Sequence, residues 1–143
     1  MMSRVGSAKE FPLQAEIDPK KTTVKNGEVI WVSTKLKNIR PEIQVVQSMS
    51  CSYYESWVSD QKFVEVVTWA CEKNAMEEYL LKPGEVREKA LQIKINVPAE
   101  ELTLQQVTFK LGYKPQPQDN QKEDESSIIW SNPATIHVQE NLP

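Results

Sequence analysis

Cys51 and Cys71 are the only two cysteines of the chain, and three kinds of chemistry could suit such a pair. Redox cycling asks for a Cys-x-x-Cys spacing, which is missing here. A metal centre asks for about four ligands, and two thiolates with a single distant His137 do not supply them. A disulfide remains, expected because both cysteines fall at corresponding ends of strand-like runs and on the faces of their apolar residues. The alternative is two buried free thiols. A bond closing a loop of this size contributes on the order of 3 kcal/mol in the chain-entropy model. It would also place the protein outside the reducing cytoplasm.

The other reactive side chains are fewer still. His137 is the only histidine. It alternates outward between Ile136 and Val138, and a general base needs a positioned partner that nothing nearby supplies. Asp119, Glu123, Asp124 and Glu125 could approach a calcium ion, but they lack the Asp-x-Asp-x-Asp-Gly order of a calcium loop. Paired glycosidase carboxylates are a spatial feature that a sequence does not display. The expectation is a chain with no catalytic residue, no metal and no cofactor, hence not an enzyme.

The stretch CSYYESWVSD, residues 51–60, has a different character. Tyr53, Tyr54 and Trp57 stand among small polar residues, the mixture of rigid amphipathic rings and adaptable hydrogen bonders found in binding loops. These three are the candidate binding residues. The competing expectation is that the rings cap one end of the core over the disulfide.

The elements that must carry these groups read as β. Leu13, Ala15 and Ile17 alternate with Gln14 and Glu16, and the run from Phe11 ends at Asp18-Pro19. Asn26-Gly27 turns the chain into Ile30, Val32, Thr34 and Leu36, with Trp31, Ser33, Lys35 and Lys37 on the other face. A third run puts Ile43, Val45, Gln47, Met49 and Cys51 on one face, and a fourth does so with Phe63, Val67, Trp69 and Cys71. Pro83-Gly84 leads into Leu91, Ile93, Ile95 and Val97. Val107, Phe109, Leu111 and Tyr113 follow as one strand, and Ala134, Ile136 and Val138 point inward on the last. Helical turns are expected only at NAMEEYLL, 74–81, and AEELTL, 99–104, both cut short by proline.

About seven strands with regular turn signals imply an antiparallel two-sheet sandwich with under about 15% helix. The expected domain spans residues 11–140, after a flexible N-terminal segment at 1–10. KPQPQDNQKEDESS, residues 114–127, has no aliphatic or aromatic side chain and is expected to be a mobile acidic loop. Such a loop is either a tolerated insertion or a binding element.

Composition narrows the partners. With 143 residues, 39% hydrophobic, 26% charged and a net charge of −3, the chain is long enough for one real core. Its charges are interspersed, which argues against nucleic acid. No stretch approaches the roughly 20 apolar residues of a membrane span. The N-terminal MMSRVGSAKEF lacks the apolar region of a signal peptide. The disulfide nevertheless favours an extracytoplasmic site, periplasmic or cell-surface, with the export signal absent from this sequence; an intracellular protein is the other reading.

Two motifs carry a resemblance. VKNGEVIWVSTKLKN, residues 24–38, is similar to the second strand of bacterial immunoglobulin-like and fibronectin-like modules, a glycine turn followed by a strand ending in Leu-x-Asn. LKPGE, residues 81–85, is similar to their turn before a core strand; with the closing PATIHV, 133–138, the resemblance spans most of the chain. The resemblance implies an immunoglobulin-like antiparallel β-sandwich and no single activity. Trp57 lies between the two cysteines, as in antibody domains, but the cysteines are too close in sequence to bridge the two sheets. The leading expectation is an exported, non-enzymatic binding or structural module engaging a protein or another cell-envelope component. The alternative resembles bacterial proteinase inhibitors of the same fold, acting through a loop such as 114–127.

Overall fold

Gly27 and Gly84 have φ of +88° and +81°, a backbone region that glycine enters without strain. They sit at the two turns that launch the longest strands of the chain. The structure, a computed structural model, describes residues 12–98, 100, 106–115 and 127–139. Along these residues run β1 (Leu13–Pro19), β2 (Thr23–Lys25), β3 (Val29–Asn38), β4 (Gln44–Met49), β5 (Trp57–Ser59) and β6 (Val64–Val66). They are followed by β7 (Met76–Leu81), β8 (Val86–Ile95), β9 (Gln106–Phe109), β10 (Leu111–Tyr113), β11 (Ile129–Trp130) and β12 (Ala134–Gln139).

The fold is all-β, an immunoglobulin-like β-sandwich. One layer is the antiparallel sheet β1-β3-β8-β6. The other is assembled from β2-β12-β9 and β11-β10-β5. Alternation decides what lies between them. Ile30, Val32, Leu91, Ile93 and Ile95 from the first layer join Phe109, Leu111, Ile136 and Val138 from the second in one buried cluster. Buried side chains of this size supply most of the drive for folding, at about 25 cal/mol per Å² of apolar surface removed from water.

The run from Val107 to Tyr113 is two strands rather than the one expected. At Lys110 the chain leaves its pairing with β12 and passes to β5 and β11. The break is hydrogen-bonded: Lys110 N–H donates to Asp60 Oδ1 (2.8 Å), and Leu111 N–H to Ser131 Oγ (3.1 Å). Tyr113, at the end of this run, is buried, and burial pushes its phenol up to about 12. The unfolded chain ionises this tyrosine near pH 10, so the folded state binds more protons between pH 10 and 12. The stabilisation is complete below pH 10 and falls by about 1.4 kcal/mol per pH unit between pH 10 and 12. Phenolate absorbance should show one tyrosine ionising near pH 12, or earlier if the chain unfolds first, a phase that Tyr113→Phe removes.

β4 and β7 form a separate antiparallel pair between the third and eighth strands in sequence. Here three expectations are corrected. The segment 74–81 holds a strand, not a helical turn: Met, Glu and Leu favour helix intrinsically, but pairing with β4 overrides that preference. On β4 the buried residue is Val46, while Ile43 and Val45 are exposed. Two adjacent valines fit either register of a period-2 pattern, and a shift of one residue exchanges the faces. The fourth run is a strand only at Val64–Val66, with Val64 buried and Phe63 half-buried. The N–H of Val67 still bonds the carbonyl of Gln92 (2.9 Å), and the chain then leaves the sheet.

Asn38 ties the β4–β7 pair to the sandwich. Its buried amide donates to the carbonyls of Leu81 and Glu42, both at 2.8 Å, and its Oδ1 accepts from Arg40 N–H (2.8 Å). The Asn38 backbone also exchanges bonds with Gly84 and Glu85. The two stretches that resemble bacterial modules thus meet at one residue. Among the described residues, helical structure is limited to the 3-10 turn at Tyr53–Ser56 and to single 3-10 residues at Glu100 and Ser127. The segment 1–10, the expected turn at 99–104 except Glu100, and the acidic stretch from 116 to 126 lie outside the described residues.

Candidate functional site

The disulfide Cys51–Cys71 is present, its Cα atoms 6.0 Å apart. Its setting differs from the expected one. Cys51 follows β4 and Cys71 lies in the coil after β6, and β4 pairs with β7 rather than β6. The bond therefore joins two loops instead of the inward faces of neighbouring strands. Both cysteines are half-buried. Asn74 closes the ring from outside: its Oδ1 accepts from the N–H groups of Cys51 (3.0 Å) and Ser52 (3.1 Å), and its amide donates to Ser52 Oγ (2.8 Å).

Beside this loop stands an aromatic cluster. The Trp69 indole N–H donates to the Cys51 carbonyl (3.1 Å), fixing the ring against the disulfide. Tyr54 and Tyr53 meet Trp69 edge-on, with ring centroids 4.6 and 5.3 Å away, a geometry favoured by the ring quadrupoles. Both phenols are tied down, Tyr54 OH donating to the Trp69 carbonyl and Tyr53 OH to the Ala90 carbonyl, each at 2.9 Å. The ammonium of Lys89 lies 4.9 Å from the centre of the Tyr53 ring, and burial raises the Tyr53 phenol above its ordinary range.

Trp31 completes the site from the sheet. It points outward from β3 directly across from Gln92 of β8 and is 49% exposed. Together Trp31, Ser50, Cys51, Tyr53, Trp69 and Gln92 line an open cleft of about 430 Å³. Its walls are aromatic and its polar side chains include the Gln92 amide and the hydroxyls of Ser50 and Tyr53, with no carboxylate, amine or imidazole among the lining residues. Such a cleft can stack and hydrogen-bond a ligand. It holds no acid–base pair.

Of the three candidate binding residues, Tyr53 and Tyr54 belong to this cluster, and only Tyr53 lines the cleft. Trp57 does not: it is 6% exposed and packs on Tyr113 across β5 and β10, with ring centroids 5.5 Å apart. As a solvent-facing contact Trp57 is corrected to a core residue, because the strand that follows the 3-10 turn directs it inward. Trp31 and Trp69 were missed. The signal for Trp31 is a large ring on the polar face of a strand; for Trp69 it is the position two residues before Cys71. His137 is exposed on β12, as its alternation implies. Among the described residues, no three His, Cys, Asp or Glu side chains gather closely enough to hold a metal ion. No described helix is long and apolar enough to cross a membrane.

No protein-family model and no curated protein matches the sequence. Solved structures do. A point mutant of Salmonella alpha-2-macroglobulin aligns over 92% of this chain at 11% identity with a TM-score of 0.53. The chain spans 7% of that protein's length. A chain from the human seminal plasma complex of zinc 2-glycoprotein and prolactin inducible protein aligns over 95% of this chain and 100% of its own, at 7% identity and a TM-score of 0.43. A CARDB domain from Pyrococcus furiosus, solved with di-metal ions, covers 92% of this chain and 97% of its own at 16% identity and a TM-score of 0.34. The macroglobulin likeness is one of fold.

Proposed function

We propose that this protein is a non-enzymatic binding module that works outside the reducing cytosol and engages another macromolecule through the aromatic cleft. The observation that carries the reading is the grouping of exposed Trp31 with Tyr53 and Trp69 around an open cleft, held by a disulfide. Large rings fixed before a partner arrives lose little freedom on binding, and tryptophan and tyrosine dominate the energetics of such surfaces. The disulfide supports an oxidising compartment. The proteinase-inhibitor alternative rests on a loop whose centre, 116–126, is outside the described residues, and no observed feature favours it.

Trp31→Ala is the direct test. Pull-down from envelope extracts of the source cell, followed by titration of the captured component, should show affinity weakened by about 2 kcal/mol. The melting temperature should stay nearly unchanged, because an outward ring on a sheet face contributes little to the core. Full binding by Trp31→Ala and by Tyr53→Ala would remove the cleft from the function.

A further inference from the structure

We propose that the free edge of β4 pairs with the same edge of a second copy of this chain, making a two-fold dimer through a continuous sheet. β4 and β7 form a two-stranded sheet, and among the described residues no strand lies on the outer side of β4. The register and one flanking bond fix which groups face that side. Met49 pairs with Met76, and the next N–H, that of Ser50, donates inward to the Ala75 carbonyl (2.8 Å). Even-numbered residues of β4 therefore spend their backbone bonds on β7. Ile43, Val45 and Gln47 aim theirs outward, since successive residues alternate. At Met49 the carbonyl is already met by the Ser48 hydroxyl (3.3 Å), so the open stretch runs from Ile43 to Gln47.

Natural edge strands are protected by charge, proline or a bulge. This one has none of these: residues 43–49 read IQVVQSM, with no ionisable group and no proline. The side chains beside it are apolar and exposed, Val45 at 56% facing Leu80 at 62% across the pair. An added strand that suits this edge is uncharged, with apolar side chains at alternate positions on the outer face. β4 itself is such a strand. Antiparallel pairing centred on Val45 sets Val45 against Val45 of the second copy and Ile43 against Gln47, with outward backbone groups meeting in every such pair. Charge selects this edge over the other. β7 carries Glu77 and Glu78, so joining two β7 edges would bring carboxylates of the two copies together.

The test is sedimentation of the full chain over a wide concentration range. The wild-type protein should pass from monomer to dimer. Val45→Lys, which places like charges across the two-fold at an exposed position, should stay monomeric with an unchanged melting temperature, and so should Val45→Glu. Mixing the two variants should restore the dimer, while Leu80→Lys, off the edge, should still dimerise. A wild-type chain that remains monomeric throughout overturns the proposal. So does a dimer that survives Val45→Lys, or one lost in Leu80→Lys alone, which would mean packing through sheet faces instead.

Discussion

Trp57→Ala is expected to cost about 3 to 5 kcal/mol of stability, the range for removing a large buried ring. The melting temperature should fall by about 10 °C. The reason is local. Trp57 is buried at the start of β5, and the Tyr113 ring against which it packs sits on the partner strand in direct register. Truncation leaves a void that neither three-residue strand can close without breaking its pairing to the other. Calorimetry of the wild type, Trp57→Ala and Tyr53→Ala would measure it, with the Tyr53 variant as the comparison for a ring on the cleft. A shift of less than about 2 °C for Trp57→Ala would contradict its place in the core.

Opening the disulfide is expected to cost about 3 kcal/mol, the entropy regained by an unfolded chain freed of a cross-link between residues 20 apart. The effect should reach beyond stability. Cys51 supplies the carbonyl that holds the Trp69 indole, and the Trp69 carbonyl in turn holds Tyr54. In the Cys51→Ala/Cys71→Ala protein, partner binding should therefore weaken along with the melting temperature, whereas Trp31→Ala weakens binding alone. Denaturant titration with and without reductant checks the first part, and the binding titration of both variants checks the second. Equal unfolding midpoints in the two redox states would contradict the constraint.

What a reader of the sequence can find depends on where the deciding information lies. In β1, β3, β8 and β12 apolar and polar residues alternate, and the residues expected inward are buried: Leu13, Ala15, Ile17, Ile30, Val32, Thr34, Leu36, Leu91, Ile93, Ile95, Ile136 and Val138. The exception is Ser33 on β3, expected outward but buried, its hydroxyl donating to the Glu88 carboxylate. β4 was misread because its face is chosen by β7, and β7 has the composition of a helix. The strand break at Lys110 was invisible because alternation continues straight through it; what changes is the partner. The cleft was half legible. Tyr53 and Tyr54 advertise themselves beside Cys51, and Trp31 stands out on a polar face, but their approach to Trp69 is a product of β8 lying between them. Trp57 shares the composition of a binding loop and was assigned with it, although two residues of backbone turn separate a surface ring from a core ring.

The pairing of β2 with β12 is parallel, Thr23 beside His137 and Lys25 beside Gln139. It has a consequence for the order in which the protein can be made. A ribosome releases β2 early and β12 more than a hundred residues later, so Val24, buried once folded, stays uncovered for most of synthesis. Contacts this distant in sequence form slowly, since a long loop must close before they repay it. The nascent chain therefore holds an incomplete second layer until β12 has emerged. An unfinished sandwich is a substrate for a translocation channel or a chaperone in a way that a finished one is not.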